Sequence, residues 1–90
     1  MINQLFLVGR IKEIDTLNNN ELIIEVVRNY KNVDGVFEKD LFRCNLWIAL
    51  SKRIGLNCKE GDIVAVKGRL VDDKGCCHIL AEQVILLNKV

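Results

Sequence analysis

The segment Leu41–Leu50, LFRCNLWIAL, carries the most informative side chains in the sequence. Phe42, Cys44, Leu46, Ile48 and Leu50 share one parity and are apolar, whereas Leu41, Arg43, Asn45, Trp47 and Ala49 share the other. Read as a strand, successive side chains point to opposite faces, so the first set faces a core and the second an outer surface. That outer row places a cation and an amide beside the only tryptophan of the chain. A flat indole accepts an unpaired base by stacking, worth about 1–3 kcal/mol per base, while nearby cations hold the phosphates. The same row can instead seat a neighbouring subunit on Trp47, and the pattern alone leaves both uses open. Lys67 and Arg69 share one parity of Asp62–Val71, opposite Val64, Val66 and Leu70. Arg10, Arg28, Lys31 and Lys39 frame the same surface, around Trp47 and Tyr30. The expected stacking residues are therefore Trp47 and Tyr30. Arg43, Asn45, Lys67, Arg69, Arg10, Arg28, Lys31 and Lys39 are the expected phosphate or polar contacts.

Other chemistry finds little support in the residue types. The four cysteines, Cys44, Cys58, Cys76 and Cys77, contain no C-x-x-C pair. Their spacing suits neither a zinc site nor a disulfide framework, and buried free thiols acting as small hydrophobes are the expectation. Cys76, Cys77 and His78 do not make a ligand set, because consecutive strand residues alternate in direction. His78 is the only histidine and has no evident partner. Ser51 belongs to a helix start, and the glycines fall one per structural break instead of forming a phosphate loop. The sequence is expected to be neither an enzyme nor a holder of a metal or cofactor.

The elements that must position the Trp47 row follow from the same alternation. Gln4 to Asp15 is apolar and β-prone, with Gly9 inside it marking a bulge or a sharp coil. Leu17-Asn18-Asn19-Asn20 supplies turn residues that tolerate left-handed backbone. Glu21 to Asn29 is a second strand with Leu22, Ile24 and Val26 on one face, and Asp34-Gly35 is a hairpin signal. Leu41 to Leu50 is the third strand. Ser51 to Cys58 is a short helix that Ser51 caps, although Gly55 weakens it. Asp62 to Val71 is a fourth strand, Asp72-Asp73-Lys74-Gly75 a tight turn, and Cys76 to Leu87 a fifth strand. Five strands with one short helix between the third and fourth predict an all-β OB-fold, a small Greek-key barrel, as a single domain over residues 1–90. Interior glycines in the first and fourth strands suit a sheet that must curl to close.

Composition bounds what such a barrel can do. The chain has 90 residues, with 13 Lys+Arg against 12 Asp+Glu and a net charge of +1, so any grip on nucleic acid rests on a local patch and not on global basicity. A domain of this size buries only roughly two thirds of the surface its unfolded chain exposes, which makes assembly of copies an expectation. The first strand, with Phe6 or Leu5 on its outer edge, is the expected subunit contact. No run approaches the roughly 18 apolar residues of a membrane span. Met1-Ile2-Asn3-Gln4 lacks the basic region of a secretory signal, so a cytoplasmic location is expected.

Three blocks resemble the bacterial single-stranded DNA-binding protein family. They are Ile2-Asn3-Gln4-Leu5-Phe6-Leu7-Val8-Gly9-Arg10-Ile11, then Phe42-Arg43-Cys44-Asn45-Leu46-Trp47, and Gly61-Asp62-Ile63-Val64-Ala65-Val66-Lys67-Gly68-Arg69-Leu70. They occur in the family's order, and the gap from Trp47 to Gly61 matches its helix-containing connection. The resemblance implies an OB-fold, sequence-independent binding of single-stranded DNA in replication, recombination or repair, and a homo-oligomer, tetramer or dimer. It also places Trp47 on a family aromatic that stacks on a base, Tyr30 near a second, and Arg43 on a polar or basic position. Leu41 stands where the family normally has another aromatic.

Two departures qualify these expectations. The hairpin between the last two strands is cut to Asp72-Asp73-Lys74-Gly75, where the family's longer version carries a further aromatic. With Leu41, this predicts weaker binding or a smaller site. The sequence also ends at Leu86-Leu87-Asn88-Lys89-Val90, where relatives continue into a linker and an acidic tip that recruits repair enzymes, and such recruitment is not expected. Leu80-Ala81-Glu82-Gln83-Val84 resembles the last strand of primosomal replication protein N, a tail-less cousin whose long basic hairpin is missing here. The alternative function is accordingly an OB-fold protein-interaction module of a primosome-like assembly, with weak or no DNA binding.

Overall fold

The computed structural model describes residues 2–88; the expectations that touch Met1, Lys89 and Val90 lie outside the described residues. Among the described residues the chain forms five strands and one helix: β1 Leu5–Asp15, β2 Glu21–Lys31, β3 Phe37–Leu46, α1 Ile48–Asn57, β4 Ile63–Asp73 and β5 Cys76–Leu86. The strands close into a barrel in the order β1-β2-β3-β5-β4, with β3 and β5 parallel and the other neighbours antiparallel. This is the expected OB-fold. Alternation in the sequence builds the interior. Leu22 and Ile24 of β2, Cys44 and Leu46 of β3, Val64 and Val66 of β4, and Ile79, Ala81 and Val84 of β5 all point inward. Leu50 and Ile54 of α1 lie a helical turn apart and are buried in the same core.

Two devices bend the sheet enough to close it. β1 pairs with β4 through Leu5–Arg10 and with β2 through Arg10–Asp15, so Arg10 is opposite both Ile63 and Glu25. At this corner a Cβ on Gly9 would sit 2.5 Å from the Glu25 carbonyl oxygen and 2.7 Å from Ile24 Cγ2, so only glycine allows so close a crossing. Further along, Lys12 is an extra residue between the pairs Ile11–Ile24 and Glu13–Ile23. This bulge lets Ile11 and Ile14 both turn inward while Lys12 and Glu13 are both exposed.

The third strand differs from the sequence expectation. It starts earlier, at Phe37, and ends at Leu46, and α1 begins at Ile48, three residues before Ser51. Ile48 is consequently 66% exposed on the helix, not in the core, and Leu50 reaches the core from the helix. Trp47 is the N-cap residue, with extended backbone and no side-chain cap bond. Ser51 does not cap: it is buried within α1, and its Oγ donates to Asn20 Oδ1 at 2.9 Å. Asn20, at φ +51°, also accepts the Leu46 N–H on its carbonyl at 2.8 Å. One asparagine thus braces both sides of Trp47. In β4, Leu70 is 48% exposed and is not part of the core with Val64 and Val66, because it lies past Gly68, where β1 no longer pairs with β4 and the hairpin with β5 runs on alone.

The β4–β5 turn is as short as expected: Lys74 and Gly75, both with positive φ, join the strands directly. Of the cysteines, Cys44 is buried and Cys58 half-buried, whereas Cys76 and Cys77 are exposed free thiols, contrary to the expectation of burial. Both belong to the hairpin end of β5, beyond the packed barrel. Among the described residues no helix is long and apolar enough to cross a membrane, and no group of His, Cys, Asp or Glu is arranged to hold a metal ion.

Candidate nucleic-acid interface

The outer face of β3 presents one continuous row. Because β3 is regular from Phe37 to Leu46, its odd positions, Phe37, Lys39, Leu41, Arg43 and Asn45, all lie on the side opposite Cys44 and Leu46, and Trp47 follows at the end. Phe37, Leu41 and Trp47 are 47%, 59% and 56% exposed. Aromatic, cation, apolar, cation, amide and aromatic side chains therefore follow one another from Phe37 to Trp47 along about 33 Å of extended chain. Lys31 pairs with Phe37 across the hairpin and holds its Nζ 5.6 Å from the centre of that ring.

The neighbouring strands add cations at two places. Beside Asn45 lies Leu80 of β5, and beside Leu80 lies Arg69 of β4, so Arg69 joins the Trp47 end. On the other side, Glu25 is opposite both Leu41 and Arg10. Here Arg10, Lys12 and Lys39 line a concavity of about 410 Å³ together with Glu25 and Glu60. Arg10 is aimed by a hydrogen bond from Nη1 to the Gly61 carbonyl, 2.8 Å. Lys12 was not among the residues expected here, although it shares the outward parity of Phe6, Val8 and Arg10; the bulge acts after it, turning Glu13 out and Ile14 inward. Phe37 was also missed, because the expected third strand began at Leu41.

Several of the expected contacts are engaged elsewhere or lie apart. Arg28 is engaged within the β2–β3 hairpin. Its guanidinium grips Asp40 through Nε and Nη2 and Glu38 through Nη1 at 2.6 Å. The hydrogen bond and charge of Asp40 push the Arg28 pKa further up, and Arg28 holds the Asp40 carboxyl below the usual carboxylate range. Lys39 and Arg43 are exposed but paired, Lys39 with Glu25 at 3.2 Å and Arg43 with Glu21 at 3.4 Å. Tyr30 is 61% exposed near the end of the β2–β3 hairpin. It is next to Lys31, the partner of Phe37, and so about 30 Å of strand from Trp47. The expected gathering of cations around Trp47 and Tyr30 does not occur, because these aromatics mark opposite ends of one ribbon. Lys67 lies apart from the row, opposite Phe6 of β1 and Gln83 of β5.

No family model matches the chain. Over 77 residues, 78% of its length, it is 30% identical to Single-stranded DNA-binding protein 1 of Streptococcus pyogenes. Over a stretch of the same length it is 29% identical to the protein of that name from Lactococcus lactis. The chain is similar in sequence to bacterial single-stranded DNA-binding proteins. It spans little more than half the length of these two relatives, 59% and 51%. In fold it is similar to the Plasmodium falciparum SSB solved in complex with ssDNA, at a TM-score of 0.70, 15% identity and coverage of 98% and 96% of the two chains. The yeast mitochondrial single-stranded DNA-binding protein Rim1 superposes at a TM-score of 0.74, with 15% identity over 94% and 93%. The small single-stranded DNA-binding protein of Streptomyces coelicolor gives 0.66, with 16% identity over 98% and 96%. These structures share the barrel of this chain.

Proposed function

We propose that this chain binds single-stranded DNA without sequence preference, laying it along the outer row of β3 from Trp47 to Phe37. The observation that carries this reading is the row itself, in which exposed rings at the two ends flank cations and an amide on a regular strand. Bases stack on Trp47 at one end and on Phe37, with Tyr30 close by, at the other. Arg43, Asn45, Lys39, Arg10, Lys12, Lys31 and Arg69 face the backbone between them. The kinship to single-stranded DNA-binding proteins supports the choice of ligand. The function is that of a binder in replication, recombination or repair, with no chemical step assigned to it, and a cytoplasmic location belongs to the same reading.

The test uses the intrinsic fluorophore. Titration with oligo-dT should quench Trp47, with affinity falling steeply as salt rises. Trp47→Ala should weaken binding by about 1–3 kcal/mol, the worth of one stacked base. Absence of quenching and of any mobility shift at low salt would remove the reading and favour a protein partner on the same face.

A second part of the proposal concerns assembly. Phe6 and Val8 of β1 and Ile85 of β5 are 69%, 58% and 48% exposed, and Val8, Ala65 and Ile85 lie in register across β1, β4 and β5. This apolar face, on the side of the barrel away from β3, is proposed to join copies of the chain. Of the two residues expected at the contact, Phe6 is outward and Leu5 packs against the core. The contact is a sheet face and not an edge, since β1 is paired with β4 along this stretch.

A further inference from the structure

Glu25 occupies an unusual place for an acid on a surface expected to meet phosphate. It is opposite Arg10 on one side and Leu41 on the other, and its carboxylate contacts Lys39 Nζ at 3.2 Å. The concavity it lines also holds Lys12, so three cations surround it, with Glu60 as the other acid at the rim. Its side chain is only 18% exposed, beneath a Lys39 side chain that is 59% exposed. The carboxylate is thus largely withdrawn from solvent, while its partner Lys39 remains open to it.

We propose that Glu25 is a built-in stand-in for a nucleic-acid phosphate: it occupies the Arg10–Lys12–Lys39 notch in the free protein and is displaced from its pairing when DNA binds. This inference rests on the nucleic-acid reading above. Two effects of the carboxylate oppose each other. It orients Lys39, which would favour binding, and it neutralises the notch and repels an arriving phosphate, which disfavours it. The second effect is the larger. Lys39 stays on the outer face because β3 alternation fixes its Cα–Cβ direction, so it needs little help from Glu25. The charge of Glu25, by contrast, acts at close range on all three cations. Glu25 therefore lowers affinity and makes the notch quick to release its ligand.

Counterion release gives the inference a readout beyond affinity. The condensed ions belong to the nucleic acid, and a cation already neutralised by a protein carboxylate displaces few of them from the phosphates, so the notch contributes little to the salt dependence while Glu25 is charged. The experiment compares wild type with Glu25→Gln, which keeps shape and removes charge, by anisotropy of labelled oligo-dT across a salt series. Asp73→Asn on the β4–β5 hairpin removes the same charge far from the notch. Glu25→Gln should bind about two- to five-fold tighter at low salt, the range an exposed ion pair spans. Its log–log salt slope should steepen by about 0.7, one more phosphate contact on a single strand. Asp73→Asn should behave as wild type. Unchanged or weaker binding by Glu25→Gln, with the wild type binding normally, overturns this inference alone. So does equal tightening by Asp73→Asn, which would make the effect one of net charge. Failure of all three proteins to bind removes the nucleic-acid reading as well.

Discussion

At the scale of single residues, direction matters more than type. Trp47, Arg43 and Asn45 could be placed on one face from the sequence because β3 is regular through Arg43 and Asn45 and the backbone stays extended at Trp47. Lys12 was missed although it shares the outward parity of Arg10; what nothing in its neighbours announces is the bulge that turns Glu13 out and Ile14 in. Arg28 looked like a phosphate contact by type, but hairpin register brings Asp40 and Glu38 to it, and register is a long-range property. Phe37 was hidden only by a boundary: once β3 begins there, its parity with Leu41 and Arg43 follows. The row favours Phe37 over Tyr30 as the second stacking ring. Phe37→Ala should therefore cost about 1–3 kcal/mol in oligonucleotide affinity by fluorescence titration. Tyr30→Ala should cost less, and the reverse order would move the far end of the site onto the other side of the ribbon.

At the scale of elements, the strands were legible and one junction was not. Alternating apolar residues continue through Ile48 and Leu50, so the sequence reads as strand where the chain has already become helix. No Ser, Thr, Asp or Asn marks the true start at Trp47, and the serine that looks like a cap serves Asn20 instead. The β2–β3 hairpin is stiffened by the Arg28–Asp40–Glu38 group and by Asn32, whose Oδ1 accepts the N–H groups of Asp34 and Val36. This has a pH signature. Asp40 has a lowered pKa in the folded chain, so its contribution is present above the carboxylate's unfolded value and is lost as pH falls through the depressed one. Asp15, held low chiefly by the Asn18 N–H, acts in the same direction and is common to both proteins compared. Asp40→Asn should melt below wild type at neutral pH, and the two curves should converge in acid. A gap that persists at low pH would assign the loss to packing instead of charge.

At the scale of the whole molecule, the barrel separates two surfaces. The β3 row and the apolar face around Phe6, Val8 and Ile85 lie on different sides, so copies joined through the second leave the first outward. Phe6→Glu together with Val8→Glu should shift sedimentation toward the monomer without unfolding the chain, because neither side chain is in the core. If the wild type is already monomeric at micromolar concentration, that face has another use. The order of strands and helix was readable from alternation, turns and glycines, because each is a local signal. The place where β1 changes partners was not, because it depends on both neighbours at once.

That place is Arg10, the one described residue of β1 opposite β4 and β2 together. Along this line β1 leaves β4 and takes up β2, which makes it a seam in the barrel. Arg10 belongs to β1, and Lys39, across Glu25, to β3. A single strand laid over both spans the seam as a clasp spans the two ends of a band. Under the proposed binding mode the ligand then bridges β1 and β3 over β2, and the amide protons of Gly9–Glu13 are where that bridging would be felt first.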